Sequence, residues 1–407
     1  MSGQMLGIGG AATTLAMGVE GAYSNAASPA IRSPYSVKTF DFEIGAGFSL
    51  PGSFTQVDFE NRGEQGTARP AASRFQDAIT VNLGATVQYG DFGVTVVGDL
   101  FTSGFLNTDG SRSPVVMRFN RVNALGGWRL WGGQLALGAG LRSATFDFIE
   151  RDSQFTDPRA LLQPTAFAPQ FGFTVMPTGW PLRVAGTYRA PLYVSNIRGN
   201  VEETRPDGTQ VASGRVLPER IAVPWEIEVG TAVQLGPRPL NPEWVDPRVA
   251  GAGARAPVEG ARVERARRYA EDVAAQPEEA RAMRRKEHEA VERDLRAQEE
   301  ASLDRRFEAL KKMREARANN WPRSFVLVSA TVLVTGGTPG SVGLESFIDQ
   351  LYEPFGASPS VSVRVGVEGE PVADWVRLRA GTYVEPSRYE RGVPRQHFTF
   401  GGDIRLF

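Results

Sequence analysis

The stretch AITVNLGATVQY, residues 78–89, decides the fold. Ile79, Val81, Leu83, Ala85, Val87 and Tyr89 fall on one parity; Thr80, Asn82, Gly84, Thr86 and Gln88 fall on the other. A period of two is the side-chain spacing of a β-strand, so the segment has one apolar face and one wet face. The pattern recurs. In TFDFEIGAGFSL, residues 39–50, Phe40, Phe42, Ile44, Phe48 and Leu50 oppose Asp41, Glu43, Gly45, Gly47 and Ser49. In SVSVRVGVE, residues 360–368, Val361, Val363, Val365 and Val367 oppose Arg364, Gly366 and Glu368. In WVRLRAGTYV, residues 375–384, Val376, Leu378, Ala380 and Val384 oppose Arg377, Arg379, Gly381 and Tyr383.

Two architectures fit such strands. A soluble β-sandwich or barrel turns the apolar faces inward. A transmembrane barrel turns them outward and keeps charges in its lumen. Three features favour the second, an all-β transmembrane β-barrel. The segments run about 10–16 residues, the length of a tilted membrane strand rather than the usual 5–6. The wet faces mix small residues with charges, as a crowded lumen does. Trp128, Trp131, Trp180, Tyr188, Trp321 and Trp375 sit near segment ends, where an interfacial aromatic girdle belongs.

The alternation predicts strands at 37–50, 76–90, 92–103, 113–128, 133–149, 165–177, 181–193, 219–236, 323–336, 359–369, 374–385 and 396–407. That is an even set of twelve, as a single-chain barrel requires, and a missed pair would make fourteen. Short connections alternate with longer ones. With short turns on the periplasmic side, both termini are expected in the periplasm. The chain therefore divides into an N-terminal hatch or plug (1–36), a first part of the barrel (37–236), an insertion (237–322) and a last part of the barrel (323–407).

Composition narrows the chemistry. With 45 basic and 46 acidic residues, net charge gives no sign of a nucleic-acid partner. Cysteine is absent, which excludes disulfides, thiolate metal sites and cysteine nucleophiles. The two histidines, His288 and His397, are far apart, so no histidine-rich metal site is expected. No apolar run approaches the roughly 20 residues of a membrane helix. GIGG, residues 7–10, is not followed by a strand–helix unit, so a phosphate loop is not expected either. No catalytic residue, cofactor or metal emerges. Residues 1–18 lack the basic start and apolar block of a signal peptide, and a leader lost before this numbering is expected.

The insertion breaks the strand pattern. Roughly half of 261–318 is charged, with both signs interleaved. Pro277, Glu278 and Glu279 read as a helix start, and Asn319, Asn320 and Pro322 as its close. The apolar stripe is thin: Val291, Leu295, Leu303, Phe307, Leu310 and Met313. Two readings stand: a solvated arm or helical hairpin with 261–275, and a docking arm that recruits another envelope protein through 259–318.

Several stretches together resemble the FadL/TodX-like outer-membrane proteins. They are MLGIGGAATTLAMGVEGAYSNAASPA (5–30), LRVAGTYRAPL (182–192), VPWEIEVGTAVQL (223–235), the hairpin at 363–389 and HFTFGGDIRLF (397–407). The resemblance implies a Gly/Ala-rich hatch inside the barrel and passage of fatty-acid-like or hydrocarbon ligands. The family's hatch usually contains Asn-Pro-Ala; here Asn25 precedes Ala26 and the proline comes at Pro29. Fourteen strands are usual in the family, and the helical insertion is not a standard part.

If apolar faces point to lipid, Asp41, Glu43, Arg183, Arg189, Glu226, Glu228, Arg364, Glu368, Arg377 and Arg379 point into the lumen. There they either brace barrel and hatch by ion pairs or line a gated path, with Asn25 as the hatch residue. Passive uptake of a hydrophobic small molecule is the first functional expectation. An outer-membrane anchor or scaffold working through its helical arm is the second. The tail is expected to close the barrel on 37–50, with a bulge at Gly401–Gly402 or with Phe407 at the periplasmic rim.

Overall fold

The computed structural model describes every residue except 1–2, 34–35, 37, 51–59, 62–72, 108–111, 151–158, 196–202, 207–208, 213–214, 245, 349, 351–352, 374, 391 and 405–407. Twelve strands lie side by side in chain order: β1 (Phe40–Ser49), β2 (Ser73–Tyr89), β3 (Phe92–Asn107), β4 (Arg112–Leu130), β5 (Leu135–Glu150), β6 (Thr165–Val175), β7 (Leu182–Arg189), β8 (Glu226–Leu235), β9 (Val326–Thr335), β10 (Ser360–Val372), β11 (Val376–Glu385) and β12 (Arg395–Ile404). A short thirteenth, Arg159–Leu162, pairs beside β5. From β2 onward each neighbouring pair is antiparallel.

This is the meander that the alternation predicts, with ends that shift by a few residues. The largest shift is at β7 and β8, which stop at Arg189 and start at Glu226. Pro191 and Pro224 flank that break, and proline cannot donate to a ladder. Beyond it the two chains pair again as Leu192–Ser195 with Arg220–Val223.

The apolar parity lies on the accessible face. Phe42 is 65% exposed, Phe48 77% and Phe400 81%, and Ile44, Leu83, Phe167 and Ile404 are exposed with them. A soluble sandwich would bury this set, so the apolar-inside reading is excluded. Trp128, Trp131, Trp180 and Trp375 project at the ends of the sheet that carry the short turns. Trp321 departs from that expectation and is buried.

The tail differs from its expectation. Pairing of β12 with β11 runs without a register shift through Gly401 and Gly402, opposite Arg379 and Leu378, so there is no bulge in that ladder. Phe407 lies outside the described residues. No pairing of β12 with β1 occurs among the described residues. Both strands instead meet the N-terminal segment: the Thr399 hydroxyl donates to the Gly7 carbonyl at 3.0 Å, and the Val19 N–H donates to Glu43 at 3.4 Å.

The chain forms two compact units. One comprises Met1–Ser33, Asp41–Glu243 and Pro322–Phe407; the other comprises Pro34–Phe40 and Trp244–Trp321. The division differs from 237–322 for identifiable reasons. Leu240 packs with Ala232, Phe325 and Leu327, and Asn241 accepts from Arg183, so 237–243 belongs with the sheet. Trp244 donates to the Ser36 carbonyl and Thr39 donates to Asp246, which draws 34–40 to the helices.

The second unit is a hairpin of α1 (Pro247–Ala275) and α2 (Glu278–Asn319). Asp246 caps α1 by accepting from the Arg248 N–H at 2.8 Å. Arg262 and Arg265 meet Glu299, Arg265 meets Glu292, Tyr269 stacks on His288 at 3.6 Å, and Arg284 meets Asp272. Partner numbers fall on one helix as they rise on the other, so the helices are antiparallel. Leu295, Leu303, Phe307 and Leu310 are half-buried, with Phe307 under Arg255; Val291 and Met313 of the expected stripe are exposed. Four of the six stripe residues are thus partly covered within the hairpin.

Hydrogen bonds from Arg265 hold the Glu292 and Glu299 carboxyls below their usual range. Arg248 pushes Asp246 down to about 2. Depressed carboxyls stabilise the fold above their unfolded values and lose that stabilisation as pH falls toward the folded ones. The helical circular-dichroism signal should stay level from pH 8 to about 5 and decline between about pH 4 and 2. Added salt should weaken the same signal.

Candidate functional site: the interior of the sheet

Residues 3–31 lie against the polar face of the sheet. They contain only short helical turns, Gly3–Gly7, Gly18–Gly21 and Ser28–Ala30. Their small side chains let the backbone approach the wall closely. Ile8, Ala11, Ala12, Ala16, Ala22, Ala26, Ala27 and Ala30 are all buried.

A row of glycines on the wall receives the segment. Gly93, Gly127, Gly138 and Gly172 are consecutive partners across β3, β4, β5 and β6. A Cβ at Gly93 would overlap the Pro29 carbonyl oxygen, and one at Gly138 the Ala26 carbonyl oxygen. Across β10 and β11, Gly366 and Gly381 are partners as well, and Ile8 lies over both.

Polar side chains fix the segment against this face. Asn25 is fully buried and uses its whole amide. Its Nδ2 donates to the Phe173 carbonyl at 3.0 Å, and to the Thr13 carbonyl and the Thr174 hydroxyl at 3.2 Å; its Oδ1 accepts from the Ala27 N–H at 2.9 Å. Arg189 donates to the Ser24 carbonyl at 2.7 Å and the Tyr23 carbonyl at 3.2 Å, while Glu226 and Glu228 hold its other end at 3.1 and 3.2 Å. Glu228 also accepts from the Thr13 hydroxyl at 2.5 Å, with Arg364 at 3.9 Å. Gln88 donates to the Pro29 and Ile31 carbonyls at 2.7 and 3.1 Å.

A second cluster holds the beginning of the segment. Glu368 accepts from Gln4 at 2.8 Å and from Arg379 at 2.7 Å, and Arg379 continues to Asp403 at 2.8 Å. Arg377 stands 3.7 Å from Glu368 and 3.4 Å from Glu370.

Thus Asn25, Arg189, Glu226, Glu228 and Arg364 form one group, and Glu368, Arg377 and Arg379 another. Glu43 meets the segment separately, at Val19. Two expected residues stand apart. Arg183 donates to Asn241 and the Leu240 carbonyl, and Asp41 accepts from the neighbouring Phe42 N–H. Sequence reading missed Thr13, Gln4, Gln88, Thr399 and Asp403. Gln88, Thr399 and Asp403 lie on the wet parity, which marks them as inward, but nothing in the sequence marks their partners.

Toward the long-loop ends the same face becomes apolar. Phe105, Val115, Met117 and Phe148 are buried there with Leu161, Leu162 and Leu217, and Phe119 stacks on Phe146 at 4.4 Å. Arg121 lies over Phe119 and pairs with Asp99 at 2.6 Å, at the border between the two zones. No cluster of three or more metal-ligating side chains occurs among the described residues.

No family model matches the chain, and no curated protein matches it. Solved structures similar to it include a TodX deltaS2S3 mutant monoaromatic hydrocarbon channel, 11% identical, covering 100% of this chain and 90% of that one, with a TM-score of 0.47. A FadL homologue from Pseudomonas aeruginosa is 10% identical, with coverage of 99% and 86% and a TM-score of 0.47. The Ralstonia pickettii toluene transporter TbuX is 10% identical, with coverage of 98% and 90% and a TM-score of 0.44.

Asn25→Ala should cost about 1–3 kcal/mol by stranding buried acceptors. Asn25→Asp should cost more, because its Oδ atoms would face the Phe173 and Thr13 carbonyls with no hydrogen to donate. Hydrogen exchange over residues 3–31, in the intact protein, should rise in that order.

Proposed function

We propose that the chain is an outer-membrane β-barrel for passive uptake of hydrophobic small molecules, with residues 3–31 as its movable plug. The observation that carries this reading is the pairing of an apolar accessible face with a polar interior occupied by its own N-terminal segment. Charges on a lipid-facing strand cost about 2–4 kcal/mol each at the midplane for Arg or Lys. On β4 and β5 the outward parity carries Arg118 and Asp147 only toward the long-loop ends and is apolar or small from Val122 to Trp128, which suits a bilayer. The exposed tryptophans at the short-turn ends suit its interface. Short turns on the periplasmic side give periplasmic termini and a periplasmic hairpin.

The resemblance of 5–30, 182–192, 223–235 and 363–389 to FadL/TodX-like proteins supplies the substrate class, fatty-acid-like or hydrocarbon. The apolar zone around Phe119, Phe146 and Phe148 is a suitable first resting place for such a ligand, above the plug. The plug then has to shift for the ligand to leave. Nothing favours the scaffold reading, since four of the six stripe residues are partly covered within the hairpin.

The absence of cysteine makes a locking experiment clean. A Cβ at Gly7 would stand 3.3 Å from the Gly401 Cα, close enough for a disulfide from Gly7→Cys and Gly401→Cys. Oxidised, this variant should lose uptake of a labelled long-chain fatty acid or toluene in reconstituted vesicles; reduced, it should recover. Full uptake through the oxidised protein would mean that the beginning of the plug need not move. Replacing 244–321 by a short linker should leave uptake intact, and its loss would give the hairpin a part in transport.

A further inference from the structure

We propose that the root of α2, residues 305–317, binds the surface of an anionic phospholipid leaflet. This rests on the reading of the sheet as membrane-spanning. Its starting point is the set of exposed cations at the root. Farther out, Arg262, Arg265, Arg268, Arg284 and Arg296 are each held by a carboxylate, while Arg285, Lys286 and Arg293 are exposed with no carboxylate within ion-pair distance among the described residues. What sets the root apart from these three is its short tether to β9. At the root, Arg305, Arg306, Lys312 and Arg317 are exposed, and among the described residues no carboxylate lies within ion-pair distance of them.

Helical geometry sets these cations around one strip. At about 100° per residue, Ala309, Met313 and Ala316 form its centre, Arg306 and Arg317 one border, and Arg305 and Lys312 the other. All three central residues are exposed, Met313 at 62%. Leu303, Phe307, Leu310 and Arg314 are half-buried on a different side, and Asp304, Glu308 and Glu315 lie outside the strip. A shallow apolar centre bordered by long cationic side chains is the form that lies along a lipid headgroup layer. The aliphatic stems rest on the surface and the charged ends meet phosphates.

A protein partner would call for an anchor such as a large aromatic or leucine, and the strip offers only Met313 beside two alanines. Charge complementarity therefore selects phosphates. The tether favours the same occupant. Residues 320–325 separate α2 from β9, at most about 20 Å of chain, so a membrane that holds β9 is within covalent reach. Basic segments next to a membrane span gain about 1 kcal/mol, or roughly 5-fold in partition, for each Lys or Arg near an anionic surface.

The full chain carrying Ala309→Cys is labelled with an environment-sensitive fluorophore and placed in nanodiscs of phosphatidylcholine, with or without phosphatidylglycerol. The expected result is a blue shift that needs phosphatidylglycerol and disappears at high salt. A label at Ala282→Cys, at the far end of α2, should not respond. Exchanging Arg305, Arg306, Lys312 and Arg317 for Gln one after another should weaken the shift about 5-fold per charge, with helical content retained. Equal emission in both lipids, or a shift that survives all four exchanges, overturns the proposal while leaving the membrane reading intact. A shift with isolated peptidoglycan and none with phosphatidylglycerol assigns the strip to the cell-wall polymer and also overturns it. Failure of the chain to enter nanodiscs defeats the membrane reading and this proposal together.

Discussion

A buried segment with almost no repeating hydrogen-bond pattern is the constraint on which the rest of this structure depends. Residues 3–31 make some internal turns, but many of their carbonyls have no helical or strand partner. An unpaired buried carbonyl costs a sizeable fraction of a domain's net stability. The wall must therefore donate, and it does. Arg189 serves Tyr23 and Ser24, Gln88 serves Pro29 and Ile31, and Thr399 serves Gly7. Bringing guanidinium groups inside creates a second need, for carboxylates that neutralise them. Glu226, Glu228, Glu368 and Asp403 meet it. At Arg189 the inner charges thus follow from the backbone of the segment, before any question of transport; Arg379 and Asp403 instead gather on Glu368, which accepts from the Gln4 side chain.

The same constraint shapes the wall itself. A sheet that must touch the backbone of another chain segment cannot keep its side chains at the points of contact, which is why Gly93, Gly127, Gly138 and Gly172 line up across four strands. Glycine weakens a strand interior by leaving nothing to pack. Here the buried alanines of the segment fill the space that side chains would have taken. On the opposite face the sheet has no such partner, and its phenylalanines, valines and leucines remain exposed, a liability in water and a requirement in lipid.

Period two made much of this legible. A strand has only two faces, so once one face is apolar every charge on the other parity is inward; Arg189, Glu226, Glu228, Glu368 and Arg379 were found this way. Partners were not legible, because cross-strand register and the path of the plug do not follow from alternation. The glycine row is invisible for that reason: each glycine is unremarked in its own strand and matters only beside its neighbours. Arg183 lies on the same parity, yet it holds the 240–241 loop rather than the plug. The hairpin with 261–275 is one of two readings of the charged segment; its seam is not legible, because His288, Glu292 and Glu299 occupy positions where an apolar repeat would announce it. Trp321 reads like a girdle residue from its place before a strand, and its burial comes from tertiary packing that spacing does not encode.

The plug is held at two places that are distant along its own length, and they bear differently on movement. The beginning, at Gln4 and Gly7, is tied to β10 and β12. The later part, from Ser24 to Ile31, is tied to β2, β6 and β7. Between them Thr13 and Val19 reach β8 and β1. Because β1 and β12 both contact this segment, expelling all of it would remove contacts at both ends of the sheet as well as what blocks the interior. A partial shift is therefore the cheaper opening. The later part holds a fully satisfied Asn25 and a backbone seated on glycines, with no slack to move without stranding buried groups. The beginning is seated on Gly366 and Gly381 through Ile8, but it is hydrogen-bonded to the wall through the Gln4 side chain and the Thr399 hydroxyl at Gly7. Passage that preserves the sheet should then open where Gln4 and Gly7 meet β10–β12, and leave the Asn25 end in place.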